Sequence, residues 1–372
     1  MIRVLHVIGA MDRGGAETFI MNVYRTVDRS VIQFDFLVHE HRECDYDSEI
    51  REMGGKIYRV PRFTGVNTPL YIRSCRSFFE NHPDYAAVHG HIGSCAALYL
   101  SEAKRAGMFT IAHSHATRGA GLWQRAFDAV SYPTRFIADV FLACSREAGQ
   151  DRYGIKVVSD ERFRVVNNGI PLEQYRFDET RRQAFRDRMR ISPHTPVFCH
   201  IGRFVPEKNH DFLVRVFELV VERRPDAVLL MAGRGPLEES VANDVKSRGL
   251  ADNVCFLGVR DDVPDILMAS DVFLFPSMRE GLGIAAIEAQ ATGLPCILSD
   301  ALPPLSRVTD LAKYLPLDDG GRAWADASVS ALETATRRES QIENVRSAGF
   351  DITDTADKLV SLYKSHILWS GQ

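Results

Sequence analysis

A chain of 372 residues exceeds what one ordinary core fills and suits two domains of similar size. Its 45% apolar and 25% charged residues are those of a soluble globular protein, and a net charge of -4 with interspersed signs leaves no global field to gather nucleic acid. Seven scattered cysteines, odd in number and without a C-x-x-C pair, suggest neither a disulfide framework nor a zinc ribbon; with no signal-peptide pattern and no apolar run of membrane-spanning length, the expectation is a cytoplasmic protein with reduced core thiols.

Short β-branched runs at Ile2–Ile8, Phe34–Val38, Lys56–Val60, Ala86–His89, Phe109–His113 and Val140–Ala143 read as strands. Helical patterns at Ala16–Val27, Leu70–Phe79 and Ser94–Ala106 stand between them. Such a βαβ series predicts a parallel sheet covered on both faces. The first strand runs into Gly9-Ala10-Met11-Asp12-Arg13-Gly14-Gly15-Ala16-Glu17, where paired glycines and a helix amino end suit an anion, or simply make a tight βα turn. His89-Gly90-His91 and His113-Ser114-His115 end two strands, and alternation aims each pair to one side. Four close imidazoles raise a metal site, but no cysteine or carboxylate stands at matching spacing, so the expectation is no metal, with His89 and His113 as hydrogen-bonded core residues.

After His115, Trp123, Phe127 and Val130 with Arg118, Arg125 and Arg135 make an apolar face with basic residues beside it. It reads as a surface helix over the core, with a membrane-surface element as the alternative. Asn167-Asn168-Gly169-Ile170-Pro171 follows, a segment prone to positive φ and fixed by proline, which suits either a hinge or a static turn.

Beyond a polar segment from about Pro171 to Pro196 the series restarts. Strands are predicted at Val197–Ile201, Ala227–Ala232, Val254–Leu257, Val272–Phe275 and Pro295–Leu298, separated by helices Asp211–Arg223, Leu237–Arg248 and Ile284–Ala291. Four loops fall at strand carboxyl ends, where such sheets build ligand sites. Gly202-Arg203-Phe204-Val205-Pro206-Glu207-Lys208 joins a glycine and two cations to a helix start, a polyanion site or, taken alone, a solvated loop. Gly233-Arg234-Gly235 lacks the rest of a dinucleotide fingerprint, and Gly258-Val259-Arg260 and Pro276-Ser277-Met278-Arg279 complete the set. The last leads into Glu280-Gly281-Leu282-Gly283-Ile284-Ala285-Ala286-Ile287-Glu288, two carboxylates at the ends of a glycine turn and a helix start. Peptide N–H groups between them can meet a phosphate or sugar oxygen. Thr353–Leu368 closes the chain as an amphipathic helix with Ala356, Leu359, Val360, Tyr363 and Ile367 on one side.

In order and spacing these four loops resemble those of the retaining family 4 glycosyltransferases, and Ala289-Gln290-Ala291-Thr292-Gly293-Leu294-Pro295-Cys296-Ile297-Leu298-Ser299-Asp300 resembles the exopolysaccharide and capsule branch. The resemblance implies the α/β GT-B architecture: two doubly wound Rossmann-like domains facing across a cleft, 1–170 on the acceptor side and 171–350 on the donor side, with 351–372 crossing back to the first. It further implies that Arg203, Lys208 and Gly202 hold the donor diphosphate, Glu280 the sugar hydroxyls, Glu288 the ribose, Arg260 the region of the base, and Gly233, Gly281, Leu282, Gly283 and Ile284 the surrounding wall. Gly14 and Gly15 would approach the phosphates from the first domain, and His115 would face the donor sugar. Gly283 departs from the many relatives that carry Pro or a bulkier residue there. The implied reaction is metal-independent front-face transfer from a nucleotide-sugar, UDP-sugar favoured, to a glycan or polyprenyl-linked acceptor. No cofactor is expected, and contact with the inner membrane surface would be peripheral. Competing readings are a GT-B nucleotide-sugar epimerase or hydrolase, and a noncatalytic nucleotide-binding subunit of a polysaccharide complex.

Overall fold

A computed structural model of the protein describes residues 1–115, 128–317, 320–334 and 338–369, with the side chains of the closing helix described to Ser365. The chain divides into two compact units, Met1–Ile170 together with the stretch from Ile352 onward, and Pro171–Asp351.

In the first unit β1 (Ile2–Ile8), β2 (Ile32–Val38), β3 (Ile57–Arg59), β4 (Ala87–Gly90), β5 (Phe109–Ser114), β6 (Val140–Ala143) and β7 (Phe163–Val165) form one sheet. The order is β3-β2-β1-β4-β5-β6-β7, parallel throughout, so the strand order reverses between β1 and β4. Both faces are covered. Tyr24, Phe34 and Phe36 pack on one side with Leu359 and Tyr363 of the closing helix Ile352–Trp369, and Leu37, Tyr71, Tyr99 and Phe141 pack on the other. Every residue of β2 is buried, as a central strand between helical layers requires. Its one carboxylate, Asp35, is compensated by Arg3 (Nε 3.0 Å), by the Tyr85 hydroxyl at 2.7 Å and by the Lys56 amide at 2.8 Å.

The second unit holds β8 (Val197–Ile201), β9 (Val228–Ala232), β10 (Val254–Gly258), β11 (Val272–Phe275), β12 (Cys296–Ser299) and β13 (Ala312–Leu315) in the parallel order β10-β9-β8-β11-β12-β13. The reversal here lies between β8 and β11, whose following loops carry Arg203 with Lys208 and Glu280 with Gly283. A ligand of such a sheet sits at that place.

Most predicted strands and helices lie within two residues of those observed. The polar segment after Pro171 is different: it contains a helix, Glu179–Met189, capped by Asp178, whose carboxylate accepts from Thr180 N at 2.7 Å and Arg181 N at 3.2 Å. This helix is anchored by cations. Arg186, 1% exposed, donates to the carbonyls of Ala269, Ser192, Pro193 and Thr195 and to Asp271, while Arg182 reaches Asp271 at 2.6 Å. An apolar stripe is absent because guanidinium groups take its place. The expected positive φ near Asn167 also fails, since neither asparagine nor Gly169 adopts it. Instead Ile352 N donates to Ile170 O at 3.1 Å and the Thr355 hydroxyl to Asn167 O at 3.3 Å, tying the chain's exit from the first unit to its return. All seven cysteines are free, six of them buried and Cys255 partly exposed.

Candidate active site

In the second unit the four strand ends of β8, β9, β10 and β11 are stitched together by backbone bonds. Gly202 N donates to Ala232 O, Phe204 N to Arg234 O, Leu237 N to Phe204 O, Gly233 N to Gly258 O and Met278 N to Glu207 O. Gly233 has φ +144°, and a Cβ there would stand 2.0 Å from Gly202 O; one on Gly235 would stand 2.4 Å from Phe204 O. Both glycines are therefore needed for close approach of the loops after β8 and β9, a packing reason beside any contact with a ligand.

That framework aims Lys208 at Glu280. Nζ lies 2.5 Å from Oε1, with side chains only 17% and 13% exposed, and 4.5 Å from the centroid of the Phe275 ring. Lys208 is thus held by Glu280. Arg203 is exposed and has no side-chain partner among the described residues. Arg260, expected near a base, forks onto Asp262 through Nε (2.7 Å) and Nη2 (2.6 Å). Beneath the loop, His200 Nε2, both ring nitrogens of His210 and Ser277 Oγ are buried without partners, and the rings of His200 and His210 lie 4.9 Å apart. Burial and the nearby Lys208 ammonium push His210 down to about 4, so it is neutral.

Gly283 caps the helix Ile284–Ala291 at φ 77°, a conformation that proline cannot adopt. Leu282 is buried behind it, Gly281 and Ile284 partly so. One turn on, Glu288 is 7% exposed and accepts from the Tyr175 hydroxyl at 2.8 Å. Burial pushes its carboxyl up to about 7 against the partial opposition of that bond. The two glutamates thus serve different partners. Tyr175 lies in the segment read as polar, and only its aromatic ring among charged neighbours could have marked it.

In the first unit, the helix Gly15–Thr26 starts at Gly14, where the Glu17 carboxylate folds back on the capping residue; a Cβ on Gly15 would meet nothing within 4 Å. The four expected imidazoles do meet, and a fifth joins them: His6 of β1, in register with His89. His6 Nδ1 meets His91 Nε2 at 2.9 Å, His91 Nδ1 meets His115 Nε2 at 2.7 Å, and His89 Nε2 meets His113 Nδ1 at 3.1 Å, with the Tyr363 hydroxyl on His89 Nδ1 at 2.7 Å. Rings 5.0 to 5.2 Å apart and within 25° of parallel meet edge to edge, so these nitrogens are spent on one another as hydrogen bonds. His6, His89 and His91, and likewise His91, His113 and His115, bring one nitrogen each within 4.8 Å, and His6 Nε2, His113 Nε2 and His115 Nδ1 are buried without hydrogen-bond partners among the described residues. Burial lowers His115 to about 4 and His6 to about 3, and His89, His91 and His113 well below the ordinary value. The cluster is neutral at pH 7. His6 was legible from strand parity alone and was missed.

Of the basic and aromatic face after His115, Arg118, Trp123, Arg125 and Phe127 lie outside the described residues; Val130 packs against the first unit's core. No helix among the described residues is long and apolar enough to cross a membrane.

Comparison with known proteins agrees with this geometry. Residues 181–348 match the family model described as "Glycosyl transferases group 1", and residues 13–174 that described as "Glycosyltransferase Family 4". EpsF of Bacillus subtilis (strain 168), a protein assigned to the glycosyltransferases, is 31% identical over 368 residues, 97% of this chain and 96% of its own length. The UDP-Gal:alpha-D-GlcNAc-diphosphoundecaprenol alpha-1,3-galactosyltransferase of Escherichia coli is 29% identical over 55% of each chain. Among solved structures, HepE of Anabaena in complex with UDP and glucose matches with a TM-score of 0.81 at 15% identity, covering 98% of this chain and 100% of that one. Two switch-point sheets, the paired-glutamate loop and a full-length relative above 30% identity place the chain among the GT-B glycosyltransferases of family 4.

Proposed function

We propose that the protein transfers a sugar, with retention of configuration and without a catalytic metal, from a UDP-sugar to a glycan or polyprenyl-linked acceptor in exopolysaccharide assembly. The Lys208–Glu280 pair at the β8/β11 switch point carries this reading. A largely buried ammonium and carboxylate that neutralise each other lower the electrostatic cost of holding both there. An arriving diphosphate takes over Lys208 together with the exposed Arg203, and releases Glu280 to accept hydrogen bonds from sugar hydroxyls. As the bond between sugar and phosphate breaks, charge grows on the diphosphate, and each preorganised contact contributes about 2 to 4 kcal/mol. The acceptor hydroxyl enters on the departing face and its proton follows the leaving phosphate, so Glu280 positions the sugar without bonding to it. The helix start at Gly283 adds peptide N–H groups to the same wall.

UDP is favoured because HepE is described in complex with UDP and the Escherichia coli relative is named for UDP-Gal. The latter's name also gives a diphosphoundecaprenol-linked acceptor, which supports the lipid-linked class. A peripheral membrane contact draws support from the exposed Tyr132, Phe136 and Ile155 near Arg135.

The test is a thermal-shift and turnover panel of UDP-, GDP- and ADP-sugars. A ligand at about a hundred times its dissociation constant stabilises by about 2.7 kcal/mol. The UDP series is expected to stabilise wild type and Glu280→Gln but not Arg203→Ala, with turnover in Glu280→Gln lower by about 10² to 10³ and unaffected by EDTA in wild type. A covalent glycosyl adduct on Glu280 would overturn the mechanism. Stabilisation by GDP- or ADP-sugars alone would overturn the donor.

A further inference from the structure

Glu288 is reached from a second element of its own unit. The short turn of helix Leu172–Tyr175 packs on the helix Ile284–Ala291 and buries both Leu172 and Tyr175. It is fastened on either side. Gln174 O accepts from Arg181 Nη1 at 2.9 Å, Arg181 Nε is itself held by Asp265 at 2.7 Å, and Glu173 Oε1 accepts from Arg346 Nη2 at 3.1 Å. Tyr175 is therefore presented to Glu288 from a fixed position.

The hydroxyl donates to Glu288 Oε1 at 2.8 Å, between side chains 5% and 7% exposed. Oε2 has no hydrogen-bond partner among the described residues and is not sealed from solvent, so it is the oxygen left for a ligand. The elements packed on this helix bring little charge to it. β11 and the turn Pro304–Ser306 carry no titratable side chain, and β12 brings only Cys296, whose thiol burial keeps neutral. On Ile342–Ser347 the Glu343 and Arg346 side chains pair with each other, and Glu173 pairs with Arg176 and Arg346. Among the described residues Tyr175 is thus the group that opposes the upward push of burial on the Glu288 carboxyl.

We propose that Tyr175 is a positioning residue for the donor: without touching the nucleotide, it holds Glu288 by Oε1 and leaves Oε2 to accept from the ribose hydroxyls. The ribose role rests on the nucleotide-sugar reading above; the bond between Tyr175 and Glu288 does not. A phenol that donates to a carboxylate favours its charged form, and the charged form is the stronger acceptor for a hydroxyl. Without the phenol the carboxyl holds its proton to higher pH. The loss in donor affinity is then largest at low pH and shrinks once Glu288 is ionised in both proteins.

UDP-glucose, titrated calorimetrically into the full chain across the pH range from about 6 to 9, tests this, because its diphosphate stays ionised throughout. The buried His200 and His210 remain neutral over that range. Tyr175→Phe keeps the ring and its packing. It is expected to bind about three- to tenfold more weakly than wild type near pH 6 and within about twofold of it near pH 9. Added to Glu288→Gln, the same change should alter affinity less than about twofold near pH 6, since the hydroxyl acts through that carboxylate. In turnover near pH 7 the donor KM rises while kcat at saturating donor stays within about twofold. A loss of affinity equal at both ends of the range, or one that persists in Glu288→Gln, marks a purely structural role and would overturn the proposal, as would unchanged affinity near pH 6. Failure of wild type to bind UDP-glucose at any pH strikes the donor reading itself, whereas wild-type binding with an unmoved Tyr175→Phe profile strikes the proposal alone.

Discussion

Glu288 is a buried carboxylate whose only side-chain partner among the described residues is the neutral hydroxyl of Tyr175. Its folded pKa is raised from the ordinary 4.5 to about 7 by burial, so the folded state holds a proton that the unfolded chain has released. The stability associated with that proton is fully present below pH 4.5 and is lost as pH rises through about 7. At one unit per 1.36 kcal/mol the full effect is on the order of 3 kcal/mol. Glu288→Gln keeps the shape and removes the titration. The stability of Glu288→Gln relative to wild type is therefore expected to increase between pH 5 and pH 8 by about 2 to 3 kcal/mol in denaturant melts; a difference flat with pH would sink the assignment. If ribose hydroxyls donate to this carboxylate, donor binding favours its charged form, expels the proton and tightens as pH rises from 6 to 8. Glu280, eight residues earlier, has a different partner, the Lys208 ammonium at 2.5 Å.

Helix Glu179–Met189 shows how a buried element escapes a search for apolar periodicity. Arg186 fills the place of a core side chain, and burial lowers its pKa although Asp271 opposes that shift. Arg186→Ala removes five hydrogen bonds and leaves the Asp271 carboxylate with Arg182 and the Val197 amide, so a loss of about 3 to 5 kcal/mol is expected in urea melts. A loss below 1 kcal/mol would show that the helix is held otherwise. Central strands such as Val197–Ile201 and Val272–Phe275 were legible to the residue because continuous apolar and aromatic runs bounded by Pro196 and Gly202, and by Asp271 and Pro276, have few other uses. Edge strands Phe163–Val165 and Ala312–Leu315 were not, since three or four half-exposed residues carry little periodicity. At the site, loops and glutamates were legible from composition and spacing. The pairing was not: that Lys208 meets Glu280, Tyr175 meets Glu288 and Arg260 meets Asp262 depends on loops folded onto one another by backbone bonds that spacing does not encode.

The closing helix makes the first unit depend on the far end of the chain. Leu359, Leu362 and Tyr363 are at most 4% exposed and share one core cluster with Tyr24, Phe34 and Phe36, and the Tyr363 hydroxyl satisfies His89 Nδ1 at 2.7 Å. Each large apolar side chain so buried contributes about 1.5 to 3 kcal/mol. Three of them, with the histidine bond, supply roughly 5 to 9 kcal/mol, as much as the whole margin of an ordinary domain. The second unit draws on none of this, because its own cluster of Phe198, Phe212, Phe217 and Trp324 lies between Pro171 and Asp351. A chain stopped after Asp351 is thus expected to lose cooperative melting of the first unit while the second keeps its transition and its stabilisation by UDP. Calorimetry of the truncated chain with and without UDP decides it. Survival of both transitions would mean that the first sheet closes its face without the helix, and loss of both would mean that the second unit depends on contacts outside its own core. Retention of the UDP shift alone would locate nucleotide binding in loops that fold independently of the first unit, which is what the backbone bonds among Gly202, Phe204, Arg234 and Glu207 predict.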